Sequence, residues 1–269
     1  MSKPLVSIIA SVYDGVKAKY LEKALLSIAS QSYSNIELIL VLDGVKRNDL
    51  LSIIKQYQSK IKMKIIKQFQ RCGLAKAMNI GLKYVEGEFI CRMDMDDISH
   101  PLRIEKQVEF LTKHPNIDVV GAWAIEIDEN DVEVFRKRMP ISHEECYKFF
   151  VKRDPLIHPT AMFRKNFFKK AGLYPEDTYL AEDTMLWANA FAAGCKFANI
   201  PEYLYYFRID KDFYKRRRGL KAAWDIFRCR IKVNKKLKYP LISYIYALLY
   251  GLIRLTPSFM LALAYKKFR

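Results

Sequence analysis

Residues 91–101 read CRMDMDDISHP and place Asp94, Asp96 and Asp97 within four positions at the end of an apolar run. Three like charges this close raise one another's pKa unless a cation neutralises them. If the preceding strand persists, Asp94 and Asp96 share a face and converge on one hard cation. Mg2+ or Mn2+ takes oxygen ligands and keeps phosphates and waters as the remainder. The competing reading is a solvated acidic turn that starts the next helix, with Asp97 at its positive N-terminal end.

Such residues need a scaffold. Apolar runs of strand length cover 5–12, 36–42, 62–66 and 88–93, rich in Ile, Val and Leu, as buried parallel strands are. Helix-length segments lie between them. Leu21, Leu25 and Ile28 recur at helical spacing within 18–30, and Ile104, Val108 and Leu111 repeat the pattern after Ser99 and Pro101, residues suited to a helix start. The alternation predicts an α/β fold: βαβ units in a mostly parallel sheet with helices on both faces.

Ligands of open α/β sheets bind outside the carboxyl ends of the strands. Four polar signals fall at such ends: Ser11 to Asp14, Asp43-Gly44, Cys72-Gly73 and the Asp94–Asp97 cluster. After about residue 115 the pattern changes to shorter strands and one further helix, 181–193, expected to extend the sheet and form the second wall of a cleft.

The chain has 269 residues, 51% of them hydrophobic, enough for a substantial core. Its formal charge is +17, from 46 Lys/Arg against 29 Asp/Glu, which favours anionic partners. That excess is not spread evenly. Residues 211–269 carry 16 Lys/Arg against 2 Asp/Glu, a net +14, so the first 210 residues keep only +3. Five cysteines without a C-x-x-C pair argue against a disulfide framework or a zinc site and suit a reducing cytosol. The segment MSKPLVSIIASVYDG reads as a first strand, not a signal peptide.

VSIIASVYDG, then SIASQSYSNIELILVLDG, then GLAKAMNIGLKYVEGEFICRMDMDDISHPLRIEKQ, and later IHPTAMFRK and AEDTMLWANAFAAGCKFANIPEYLYYFR appear in order over about residues 4–208. Together they resemble the family 2 glycosyltransferases. The resemblance implies a GT-A, Rossmann-like fold, a nucleotide-sugar donor of the UDP-linked kind, a divalent metal (Mn2+ or Mg2+), and inversion at the anomeric carbon. Carried over by position, Ser11 and Tyr13 match the donor-nucleotide wall, Asp43 the carboxylate that meets the uracil ring, and Gly73 the segment near the ribose. Asp94 and Asp96 match the metal-binding D-x-D pair, with Asp97 beside them holding donor sugar or water. The family usually has two acidic residues before the glycine after its second strand; here the first is Leu42, so the base contact rests on Asp43 alone.

Glu182-Asp183 matches the family's E-D pair, in which the aspartate is the catalytic base. An inverting displacement needs one carboxylate within about 3 Å of the attacking acceptor hydroxyl, apart from the metal that offsets charge on the leaving phosphate. Without the resemblance the pair reads as first-turn acids favoured by a helix N-terminus. His158 matches a recurring histidine and either touches metal or phosphate or is a packed loop residue. Arg92 and Arg164 either face the diphosphate or form ordinary ion pairs, and Trp187 either stacks on an acceptor sugar or packs in the core.

The expected organisation is a GT-A domain at 1–210, with a nucleotide-binding half at 1–115 and an acceptor and catalytic-base half at 116–210. A basic, apolar helical tail follows at 211–269. In that tail the longest stretch without charge, 239–253, has 15 residues, about 22 Å of helix against a hydrocarbon core of about 30 Å. An interfacial helix on an anionic membrane surface therefore competes with a helical subdomain packed on the body. The expected protein is a peripheral or monotopic enzyme at the cytoplasmic side of the cell membrane, passing a sugar to a glycan or lipid-linked saccharide in surface-polysaccharide synthesis. No nucleic-acid partner is expected. A nucleotidyltransferase making nucleotide sugars and a basic nucleic-acid-binding protein are the other classes considered.

Overall fold

A computed structural model describes residues 3–178, 180–257 and 260. The first half alternates as expected: β1 (Val6–Val12), α1 (Ala18–Ala29), β2 (Ile36–Asp43), α2 (Asn48–Tyr57), β3 (Met63–Gln68), α3 (Leu74–Leu82) and β4 (Phe89–Arg92). Next come β5 (Ile98–Ser99), α4 (Arg103–Lys113), β6 (Val119–Ile127), β7 (Glu133–Lys137) and α5 (His143–Phe150). A single 3-10 turn, His158–Thr160, precedes β8 (Met162–Arg164), α6 (Phe167–Ala171), α7 (Glu182–Ala192) and β9 (Phe197–Arg208). The chain continues through α8 (Phe213–Arg216), α9 (Leu220–Lys236) and α10 (Ile242–Ile253).

Among the described residues the strands form one sheet in the order β3-β2-β1-β4-β8-β6-β9-β5, with β7 paired to β6. β1 lies parallel to β2 and β4, β2 parallel to β3, and β6 parallel to β9. Alternate residues of a strand face opposite sides, so Ile8 packs in one core and Ile9 in another. One core joins the sheet to α1, α2 and α4 through Leu21, Leu25, Leu50, Ile54 and Leu111. The other holds Met78 of α3, Phe150 of α5, Phe167 of α6, Trp187 of α7 and Val233 of α9. The parallel strands aim their carboxyl ends at one edge, which gathers residues 13–14, 43–44 and 94–97.

The second half meets the expectation of shorter strands in β7 and β8, of five and three residues, and departs from it in β6 and β9. β6 has nine residues and β9 twelve. β9 keeps its pairing past Pro201 because the register with β6 shifts between Ala122 and Ala124, a bulge that absorbs residues unable to join the ladder.

The division at residue 210 is one of composition; packing runs across it. Ala222, Ile226, Cys229, Arg230 and Val233 of α9 are buried, and α9 lies on α7. Ser243, Ala247 and Gly251 of α10 are buried at four-residue spacing against α9, close enough that a Cβ on Gly251 would meet Phe227 at 3.2 Å. Through Ile253 the packed helical subdomain is therefore the observed arrangement. Among the described residues no helix is long and apolar enough to cross a membrane; residues 258, 259 and 261–269 of the tail lie outside them.

Candidate active site

β4 ends at Arg92, so strand alternation does not bring Asp94 and Asp96 together as the sequence suggested. Residues 94–97 form a turn instead, with the Asp97 N–H donating to the Asp94 carbonyl at 3.4 Å. That turn also recruits Asp97, and ligand oxygens of the three carboxylates lie within 4.8 Å of one another. Burial and the Asp94 charge push the Asp96 carboxyl up to about 6. Burial, then the charges of Asp96 and Asp94, raise Asp97 well above the ordinary range. The all-oxygen set fits a hard divalent cation, which would relieve this repulsion.

Arg208, at the end of β9, pins the turn. Its backbone N–H donates to Asp97 Oδ1 at 2.7 Å and its Nε to the Asp96 carbonyl at 2.8 Å. The Tyr205 hydroxyl accepts from the Asp94 N–H at 3.2 Å. Sequence reading missed both residues, although they lie in the YLYYFR run, 203–208, that ends the ordered motifs.

Arg92 is 2% exposed, and its Nη2 lies 2.6 Å from Asp94 Oδ1. Its Nε and Nη1 are buried without a hydrogen-bond partner, donors suited to an incoming anion. Arg164 is placed otherwise: it donates to the carbonyls of Ile117 and Leu111 at 2.8 and 2.5 Å and covers the Phe89 ring. It is a structural clasp at the end of α4, so the diphosphate reading does not hold for it.

At the same sheet edge a cavity of about 430 Å3 is lined by Tyr13, Asp14, Asp43, Gly44, Phe69 and Arg71, among others. Ser11 lies half-buried near the end of β1. Both Asp43 oxygens already accept backbone hydrogen bonds, from Cys72 N at 2.6 Å and Gly73 N at 3.0 Å. Each carboxylate oxygen keeps a second lone pair for a ligand. Gly73 starts α3 at φ 89°, a left-handed conformation that glycine adopts without strain. The Arg71 guanidinium covers the Tyr13 ring at 4.3 Å, and Phe69 stands 93% exposed at the rim. An isolated Phe before a Gln-Arg pair carries no motif, so sequence reading passed over it.

A second cavity, of about 520 Å3, is lined by Arg92, Asp94, Asp154, His158, Glu182 and Asp183. Arg217, Tyr250 and Arg254 line it too, so the C-terminal helices complete its wall. Asp183, in the first turn of α7, has Oδ1 accepting from Thr184 N at 2.7 Å. Burial, then the charges of Asp154 and Glu182, push the Asp183 carboxyl up to about 7. Burial is also the leading cause that raises Glu182. Asp154 was not found from sequence; a lone aspartate before proline gives no signal.

His158 stands apart from the carboxylate cluster. Its Nε2 lies 3.0 Å from the Tyr174 hydroxyl, and burial, then the Arg92 charge, depress its pKa well below the usual imidazole value. Trp187 is fully buried against Phe163, Phe167 and Phe197; it packs the core and is not available to stack on a sugar.

Residues 7–172 match the family described as Glycosyl transferase family 2. The chain belongs to that family. The amylovoran biosynthesis glycosyltransferase AmsE of Erwinia amylovora is 32% identical over 98% of this chain and 99% of its own length. The Escherichia coli UDP-Gal:alpha-D-GlcNAc-diphosphoundecaprenol beta-1,3-galactosyltransferase is 30% identical over 82% of this chain and 80% of its own. The mannosyltransferase PcManGT from Pyrobaculum calidifontis, solved with GDP-Man and Mn2+, superposes with a TM-score of 0.68 at 17% identity, over 98% of this chain and 76% of that one. The glycosyltransferase thus has the GT-A fold expected from its motifs. Membership of the family displaces both the nucleotidyltransferase and the nucleic-acid-binding readings.

Proposed function

We propose that this glycosyltransferase moves a sugar, with inversion, from a UDP-sugar to a glycan acceptor carried on lipid, in surface-polysaccharide assembly. One observation carries the reading: Asp94 and Asp183, from motifs some ninety residues apart, line the same cavity. Support for the donor and acceptor classes comes from the E. coli relative, whose name specifies UDP-Gal and a diphosphoundecaprenol-linked sugar, and from AmsE in amylovoran biosynthesis.

In this reading the nucleotide lies in the cavity beside Ser11, Tyr13, Asp43 and Gly73, and its diphosphate reaches the free donors of Arg92. Asp94 and Asp96, with Asp97 alongside, would hold a divalent cation, Mn2+ or Mg2+, which when bound offsets charge on the leaving diphosphate. Asp183 takes the proton of the acceptor hydroxyl as that oxygen attacks the anomeric carbon, and Glu182 supports it from the same turn. His158 is the weakest member of the proposed metal set, since its Nε2 faces Tyr174.

The reading also places the enzyme on the cytoplasmic face of a membrane. Leu241, Ile242, Ile245, Leu248, Leu249 and Leu252 are exposed along α10, opposite the side buried on α9. Their neighbours Lys235, Lys236 and Lys238 are exposed as well. An apolar stripe flanked by cations fits an anionic bilayer surface.

Calorimetric titration with UDP, and with GDP for comparison, in the presence and absence of Mn2+ tests the donor site. Metal-dependent UDP binding that disappears in Asp96→Ala supports it. Failure of the folded protein to bind either nucleotide would remove it.

A further inference from the structure

We propose that Arg230 of α9 is a positioning residue for the proton acceptor, acting through Asp154, which it holds against Thr184 and whose charge it offsets. The inference rests on the reading of Asp183 as base and assigns part of that base's control to a segment beyond the 7–172 family match.

Arg230 is 2% exposed although it lies in the most basic part of the chain. Its Nη1 donates to the Phe150 carbonyl at 3.0 Å and its Nη2 to Asp154 Oδ1 at 2.9 Å. The Phe150 and Tyr250 rings lie 5.2 and 5.5 Å from the guanidinium carbon, so α5 and α10 hold the cation between them. A cation is buried this way only when it is paired.

Its partner reaches the base within two contacts. The Thr184 hydroxyl lies 2.9 Å from both Asp154 oxygens, and the backbone N–H of that same threonine donates to Asp183 Oδ1. Asp154 and Asp183 both line the larger cavity. A carboxylate here repels the ionised base, and a buried guanidinium bonded to that carboxylate limits the repulsion. Glu182 on its own helix adds to the repulsion on Asp183 and Arg217 before α9 offsets it, and Tyr174 before α7 lies within reach of both acids. Arg92 and Asp94 from the β4 side, with Lys137, Arg138, Arg153, His158 and Arg254, line the same cavity. Arg230 is the cation bonded to Asp154.

Opposite shifts follow for the two partners. Asp154→Asn removes the repelling charge and leaves Arg230 uncompensated, so Asp183 ionises more readily. Arg230→Met leaves Asp154 uncompensated, so Asp183 ionises less readily. A role confined to packing would not move the midpoint in opposite directions.

The test is a carboxyl 13C NMR titration of the full chain labelled at aspartate, with the Asp183 signal identified by its loss in Asp183→Asn. A midpoint about one pH unit lower in Asp154→Asn, higher in Arg230→Met and near the parent in Arg230→Lys is expected. An unchanged midpoint in folded Asp154→Asn overturns the proposal. If Arg230→Met does not fold, Asp154→Asn and Arg230→Lys decide, and a lysine midpoint well above the parent counts against charge compensation. The titration reads no turnover, so it stands apart from the base assignment. That assignment fails separately if Asp183→Asn releases UDP from UDP-glucose, UDP-galactose or UDP-N-acetylglucosamine as fast as the parent protein.

Discussion

Arg92 Nη2 sits 2.6 Å from Asp94 Oδ1 while its Nε and Nη1 meet no acceptor. One arginine thus closes the acidic turn and keeps two buried donors in reserve. Leaving such donors unmet costs folding free energy, a cost that an anion in the cavity would offset. Arg92→Gln is expected to weaken UDP binding by roughly 1.5–3 kcal/mol, the range for charge-assisted hydrogen bonds. Calorimetry at fixed Mn2+ measures it, and unchanged affinity would dissociate Arg92 from the diphosphate.

The metal set predicts a graded response. Asp96→Ala should lower apparent Mn2+ affinity by more than about tenfold, since even groups that only support a metal ligand commonly cost that much. Titrating Mn2+ against bound UDP would show it. His158→Gln should leave Mn2+ affinity near the parent value if the imidazole serves Tyr174 alone.

Asp183 must be ionised to accept a proton, and its carboxyl is pushed up to about 7. Turnover should therefore fall about tenfold for each pH unit below that value, an acid limb unusually high for an aspartate. Asp183→Asn should cost about 100- to 10,000-fold in kcat, the range for a positioned general base. A pH–rate profile flat down to pH about 5 would count against Asp183.

The same raised values govern stability. Asp96 at about 6 and Asp183 at about 7 retain protons in the folded protein that the unfolded chain releases near pH 3.9. Their contribution is fully present below about pH 3.9 and is lost as pH rises through about 6 and then 7. Metal-free protein should therefore melt at a lower temperature at pH about 7.5 than at about 5, as far as these groups decide it. Mn2+ should flatten the part due to Asp96 and leave the part due to Asp183. Thermal melts across pH, with and without Mn2+, separate the two.

On α10, Leu248→Lys with Leu252→Lys changes exposed residues and should leave the fold intact while reducing sedimentation with anionic vesicles. Equal partitioning of the variant and the parent would remove α10 from the membrane reading.

Legibility followed the range of the interactions. β1, β2 and the α1 face were readable because buried parallel strands are continuously apolar and α1 buries Leu21, Leu25 and Ile28 at helical spacing. Both carboxylate groups stood out because each is a cluster in sequence. The reason for the Asp94–Asp97 geometry was not readable: a turn brings those side chains together, whereas a strand would have sent Asp97 to the other face.

The sequence by itself determined the fold class, the family and the two acidic centres, since these depend on local periodicity and on motifs read in order. Only the tertiary structure decided which groups surround those centres. Arg208 reaches Asp97 across 111 positions, and Arg230 reaches Asp154 across 76. Both cations lie 2% exposed at the side chain, where desolvation obliges pairing. Composition could assign Arg230 only to a basic tail, because a charge count does not distinguish a solvated arginine from one buried beside Asp154.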